Sequence, residues 1–139
     1  MLRLATERHE LQVINDQIGA PTGADLLADV TAQAIRSIHF SPNNASQLLG
    51  LYHVVAAGET SWFDYARFVI EWARLNGQHI LVTPDAIKPT STNDYPTPAK
   101  RPLNSRLDTS HFQHAFGIRL PHWQKGVERM LTEISGKSS

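Results

Sequence analysis

The chain has 139 residues, enough for one domain with its own core. Its 13 basic and 13 acidic residues cancel, which argues against a protein that binds nucleic acid or an anionic membrane through a general basic excess. With no cysteine, disulfides, thiolate metal sites and cysteine nucleophiles are excluded. A hydrophobic share of 41% and a charged share of 19% are those of an ordinary globular domain.

No apolar run approaches the roughly 18 residues that span a bilayer. Arg3, Glu7 and Arg8 lie where a signal peptide needs an apolar stretch. The expectation is a cytoplasmic protein with no nucleic-acid or membrane partner.

In chain order, residues 1–9 read as a short helix, with Leu2 and Leu4 apolar. Leu11 to Ile14 reads as a strand. Asn15 to Gly23 is a loop rich in turn formers. Thr22 is the expected N-cap of the next helix, and Asp25, three residues on, suits its dipole. Leu26, Val30, Ala34 and Ile38 form the inward stripe, widened by Leu27 and Ile35. Ser41 to Ser46 breaks that helix.

Leu51 to Ala56 reads as a buried strand with His53 as a core histidine. Ser61 is the expected cap of a helix running to Asn76–Gly77, with Asp64 as its partner. Its inward positions are Trp62, Ala66, Val69, Ile70 and Ala73, leaving Trp72 off the stripe as an interface residue. Ile80 to Val82 reads as a short strand. Pro84, Pro89, Pro96, Pro98 and Pro102 then make residues 84–105 a long loop, with neither helix nor central strand. Asp108 caps a short helix ended by Gly117. Pro121 opens a last helix with Trp123, Val127, Met130, Leu131 and Ile134 inward, followed by a polar tail over 135–139. The overall expectation is an α/β arrangement of few short strands and four to five helices.

Three ordered stretches are more specific than periodicity. They are Val13 to Leu26 (VINDQIGAPTGADL), Gly50 to Val54 with Ser61 to Ala66 (SWFDYA), and Tyr95 to Asp108 (YPTPAKRPLNSRLD). Together they resemble the C-terminal, substrate-binding part of the dTDP-4-dehydrorhamnose reductase family, which are extended short-chain dehydrogenases of the NAD(P)-binding Rossmann type. The resemblance spans residues 1–134 and marks them as one substrate-binding domain.

The resemblance implies a full-length enzyme that reduces dTDP-4-dehydro-L-rhamnose to dTDP-L-rhamnose with NAD(P)H. It also implies an N-terminal Rossmann domain with a glycine-rich cofactor loop and a catalytic YxxxK pair. This sequence contains neither motif. Tyr52, Tyr65 and Tyr95 are followed four residues later by Ala56, Val69 and Ala99, and Tyr95–Lys100 is off by one. The expectation is therefore a fragment with no catalytic, cofactor-binding or metal residues of its own. Its partners would be the missing Rossmann domain and a dTDP-sugar held weakly in isolation, with a homodimer as a further option.

For the sugar nucleotide, Arg101 and Arg106 offer guanidinium forks to a diphosphate. Asn104 and Ser105 suit hydroxyls or phosphate oxygens, and Gln17 suits a sugar or base edge. Each also has a plain turn-bracing reading. Trp62 and Trp123 are expected in the core rather than on a thymine ring. His111 and His114 are read as a solvated face. Some family members bridge dimers through a cation held by carboxylates, for which Asp25 and Glu133 are the matching acids; the favoured reading keeps both as helix acids. The alternative function is a non-catalytic binding or regulatory module of the same superfamily, or a relative that has lost its ligand.

Overall fold

The elements run α1 (Leu2–Glu7), β1 (Leu11–Ile14), β2 (Ile18–Gly19), α2 (Ala24–Phe40), β3 (Thr60–Ser61), α3 (Trp62–Leu75), β4 (Ile87–Thr90), α4 (Ser110–Phe116) and α5 (Trp123–Ile134). The computed structural model describes residues 1–41, 45–95, 99 and 101–136. The loop residues Pro42 to Asn44, the motif residues Pro96 to Pro98 and Lys100, and the tail from 137 lie outside them. No helix among the described residues is long and apolar enough to cross a membrane.

Helix α3 organises the domain because its apolar positions recur at helical spacing and serve two cores. Ser61 starts it as a cap: its Oγ accepts from the Asp64 N–H at 3.0 Å and donates to Asp64 Oδ2 at 2.8 Å. Ile70 then packs with Ala5, Leu11, Val82 and Ile87, against β1 and β4. Val69 packs with Ala56, Trp123, Val127 and Leu131, against α5. Ala66 and Ala73 are fully buried, and their small side chains let the neighbouring elements approach closely. A third cluster of Val30, Phe112 and Leu120 joins α2 to α4.

β1 and β4 pair in parallel, with Leu11 opposite Ile87 and Ile14 opposite Thr90. β2 and β3 pair antiparallel, Ile18 opposite Ser61. Pro89 is accommodated within β4 because that strand has a single partner among the described residues, so one of its edges needs no N–H donor. The proline-rich stretch thus contains a strand and a 3₁₀ turn over Pro84–Ala86, where a loop is expected.

Several local expectations give way to tertiary packing. Leu51–Ala56 is not a strand: Leu51 is 82% exposed and only Ala57 makes a bridge, to His122. His53 is exposed, not a core residue. Ile80–Val82 is irregular, its Leu81 and Val82 N–H groups both donating to the Ala5 carbonyl. Leu27 and Ile35 on α2, and Met130 and Ile134 on α5, face outward. Trp72 is partly buried against the α3–α5 core. The cap of α2 is Gly23, not Thr22. The Thr22 hydroxyl instead donates to the Ala20 carbonyl at 2.9 Å and accepts from the Ala56 N–H at 3.0 Å, joining the 15–23 loop to the segment before α3.

The cap of α4 is Thr109, one residue after the expected Asp108, whose carboxylate still reaches the start of the helix. The Asp108 carboxylate accepts from the Ser110 N–H at 2.9 Å, which with the Ser110 hydroxyl holds its pKa below the ordinary value. Gly117 ends the helix at φ +65°, a left-handed conformation suited to glycine.

Candidate functional site

β2 is the hinge of the site. On one side it pairs with β3, which delivers Ser61 and Trp62. On the other, the Ile18 N–H donates to the Leu103 carbonyl and the Ser105 N–H donates to the Ile18 carbonyl, both at 2.8 Å. These two bonds lay the 101–106 segment beside the 15–23 loop. Residues from each of the three stretches singled out in the sequence meet here.

Between them lies a cleft of about 440 Å³, lined by Gln17 to Thr22, by Thr60, Ser61, Trp62 and Tyr65, and by Arg101, Pro102 and Ser105. A second hollow of about 310 Å³ opens on the other side of Gln17, Trp62 and Arg101, over Gln12 to Ile14 and Tyr95. The three shared residues form the ridge between the two.

Of the five residues expected to touch a ligand, Gln17, Arg101 and Ser105 line the larger cleft. Asn104 and Arg106 are not among its lining residues. The Asn104 side-chain oxygen accepts from the Arg106 N–H and from its Nε at 3.1 and 3.0 Å. The Arg106 guanidinium reaches Glu59 Oε2 at 3.0 Å. Both side chains are engaged in bracing the loop.

Trp62 departs from its expected place in the core. It is 45% exposed and stands edge-on to Tyr65, ring centroids 5.9 Å apart. As the first residue of α3 it precedes the turn at which the inward stripe becomes established. That position, directly after a Ser cap, was the available signal. Trp123, by contrast, is buried as expected. Burial pushes the Tyr65 phenol up from its ordinary pKa, so it faces the cleft as a neutral hydroxyl.

Gln17 is 93% buried at its position between the two hollows, with a relative exposure of 7%. Its Nε2 donates to Thr92 Oγ1 at 3.1 Å. Thr92 in turn donates from its hydroxyl to Asp16 Oδ1 at 2.6 Å and from its N–H to both Asp16 oxygens. The Thr92 hydroxyl and N–H hold the Asp16 carboxyl below its ordinary pKa.

Asp25 and Glu133 do come near a shared partner. That partner is Arg129, which pairs with Asp25 and lies 3.7 Å from Glu133 Oε1. Among the described residues no group of three His, Cys, Asp or Glu side chains is placed to hold a metal ion. His111 and His114 are exposed, the His111 ring lying 4.6 Å from that of Tyr52.

Short strands wrapped by helices, with a polar and aromatic cleft where three loops meet, make this an α/β domain with a candidate ligand site. The chain belongs to the RmlD substrate binding domain family, whose model matches residues 1–135. It is 56% identical over 134 residues to the dTDP-4-dehydrorhamnose reductase of Escherichia coli K12, covering 96% of this chain and 43% of that protein. It is 40% identical over 135 residues to that of Burkholderia thailandensis, covering 96% of this chain and 45% of the relative.

Solved structures agree. The Bacillus anthracis dTDP-4-dehydrorhamnose reductase in complex with NADP matches with a TM-score of 0.70 at 32% identity, over 94% of this chain and 41% of that one. A Clostridium acetobutylicum dTDP-4-dehydrorhamnose reductase matches with a TM-score of 0.74 at 28% identity, over 96% and 41%. The chain thus spans less than half the length of each of these relatives.

Proposed function

We propose that this chain is the sugar-nucleotide-binding part of a dTDP-4-dehydrorhamnose reductase. In the whole enzyme it would hold dTDP-4-dehydro-L-rhamnose while a Rossmann part supplies NAD(P)H and the catalytic pair. The observation that carries this reading is the convergence of Gln17, Arg101 and Ser105 with Trp62 around one cleft of about 440 Å³, a volume within the range of small-ligand sites.

Each lining group has a matching chemistry on the ligand. Arg101 offers paired charged donors to a diphosphate. Trp62 offers an exposed aromatic face to the thymine ring. Ser105 and Gln17 offer short polar contacts to hydroxyls or a base edge. This chain contains no glycine-rich cofactor loop and no YxxxK pair, so the reading assigns it binding and orientation rather than hydride transfer.

The test is titration of the purified chain with dTDP-rhamnose, followed by amide NMR shifts. Perturbations centred on Gln17, Trp62 and Arg101 to Ser105 are expected. A spectrum unchanged at millimolar ligand refutes the binding reading and favours a module that has lost its ligand. Oxidation of NADPH by the purified chain with dTDP-4-dehydrorhamnose would overturn the division of labour.

A further inference from the structure

A buried amide beside a ligand cleft can present either its oxygen or its nitrogen, and the choice decides which ligand groups it accepts. At Gln17 the choice follows from counting protons. Thr92 has one hydroxyl proton. Its shortest contact is to Asp16 Oδ1 at 2.6 Å, a charge-assisted bond that claims that proton. The hydroxyl is then an acceptor toward Gln17, 3.1 Å away. Gln17 must therefore turn its NH₂ to Thr92.

Among the described residues its Oε1 makes no hydrogen bond. Among the described residues no buried side-chain nitrogen or oxygen lacks a partner, so Oε1 is reachable from outside. Gln17 keeps a relative exposure of 7%, and it lines both hollows. The reachable oxygen thus opens onto the ligand cleft or its neighbour across the ridge.

We propose that Thr92 and Asp16 are positioning residues that lock the Gln17 amide with its carbonyl oxygen outward, so that the site takes a hydrogen-bond donor from the ligand at this point. A sugar hydroxyl or the N3–H of thymine meets this requirement, and a carbonyl or phosphate oxygen does not. Turning the amide round would set its oxygen against the Thr92 lone pairs. The two outer residues reach the ligand only through Gln17. The ligand side of the proposal rests on the sugar-nucleotide reading above, whereas the amide orientation stands without it.

Two measurements on the full chain test the idea. The first needs no ligand. The Gln17 side-chain NH₂ signals, assigned by their loss in Gln17→Ala, are expected to be protected from solvent exchange. Thr92→Val should abolish that protection, and Thr92→Ser, which keeps the hydroxyl, should retain it. Unprotected Gln17 signals in the unsubstituted chain, or signals unchanged in Thr92→Val, overturn the positioning. Should Thr92→Val not fold, Asp16→Asn is read in the same way: it frees the Thr92 proton and is expected to raise Gln17 exchange.

The second measurement is a double-mutant cycle with dTDP-rhamnose and dTDP as the probes. Gln17→Ala and Thr92→Val are each expected to weaken dTDP-rhamnose binding by about tenfold. In the Gln17→Ala background Thr92→Val should cost nothing further, because its effect runs through the amide. An equal loss in both backgrounds identifies a merely structural Thr92 and sinks the proposal. A loss shared by dTDP assigns the donor to the nucleoside; a loss confined to dTDP-rhamnose assigns it to the sugar. If neither probe binds the unsubstituted chain, the sugar-nucleotide reading fails while the exchange measurement still decides the amide orientation.

Discussion

The guanidinium of Arg106 lies 3.0 Å from Glu59 Oε2, across 47 positions of sequence. Glu59 stands next to β3, so this pair ties the 101–106 segment to the strand that introduces Trp62. It separates two arginines that look equivalent in the motif: Arg106 braces, and Arg101 lines the cleft. Arg101→Ala is accordingly expected to weaken dTDP-rhamnose binding by at least tenfold, through loss of charged hydrogen bonds of about 1.5–3 kcal/mol. Arg106→Ala should change binding by less than threefold. Its pair is half-exposed, and such pairs contribute about 0–1 kcal/mol. Isothermal titration of the two variants side by side checks the contrast.

The tryptophans divide in the same way. Trp123 is buried against Val69, Val127 and Leu131, so Trp123→Ala should cost about 3–5 kcal/mol of stability in urea denaturation. Trp62 sits on the ridge between the hollows, and Trp62→Ala should cost under about 1.5 kcal/mol while abolishing ligand-induced shifts at its neighbours. Comparable destabilisation by both would place Trp62 in the core after all.

Ser61 joins fold and site through one hydroxyl. Ser61→Ala removes the bond from the Asp64 N–H and is expected to cost about 0.5–2 kcal/mol, the usual range for a helix cap. Because α3 feeds two of the three cores, the loss should appear as a lower urea midpoint for the whole domain. Fraying limited to the first turn of α3, seen by hydrogen exchange with the midpoint unchanged, would show that the cap acts only locally.

Acid should loosen the 15–23 loop through Asp16. Hydrogen bonds from the Thr92 hydroxyl and N–H lower its folded pKa below the ordinary 3.8. The unfolded chain therefore binds the proton more readily. The stabilisation is fully present above about 3.8 and is lost as pH falls through the lower folded value. The stability gap between the unsubstituted chain and Asp16→Asn should be constant near neutrality and close in that acid window. Asp108, lowered mainly by the Ser110 N–H, titrates in the same direction, so the subtraction is needed to isolate Asp16. A gap that stays constant below the window would show that Asp16 carries no folding-linked proton.

What the sequence alone determined is whatever rests on neighbours within a turn or two, together with the family written in its motifs. β1 runs over Leu11–Ile14 as read. The Ser61–Asp64 cap and the α3 stripe of Ala66, Val69, Ile70 and Ala73 are also present. These depend on i to i+4 spacing, which a linear text displays. The three motif stretches likewise identified the family without any coordinates.

What only the tertiary structure decided is which polar and aromatic groups are left available once distant partners have been satisfied. Leu51–Ala56 has a strand's composition but pairs with no strand among the described residues. Trp62 obeys the helical period yet sits one turn before the core begins. Asn104 and Arg106 carry the right chemistry for a ligand, and within the chain they contact each other and Glu59. Gln17, Thr92 and Asp16 are linked across 75 to 76 positions, beyond any local pattern. A side chain's type sets the bonds it is able to make; the fold determines which of them remain open to a ligand.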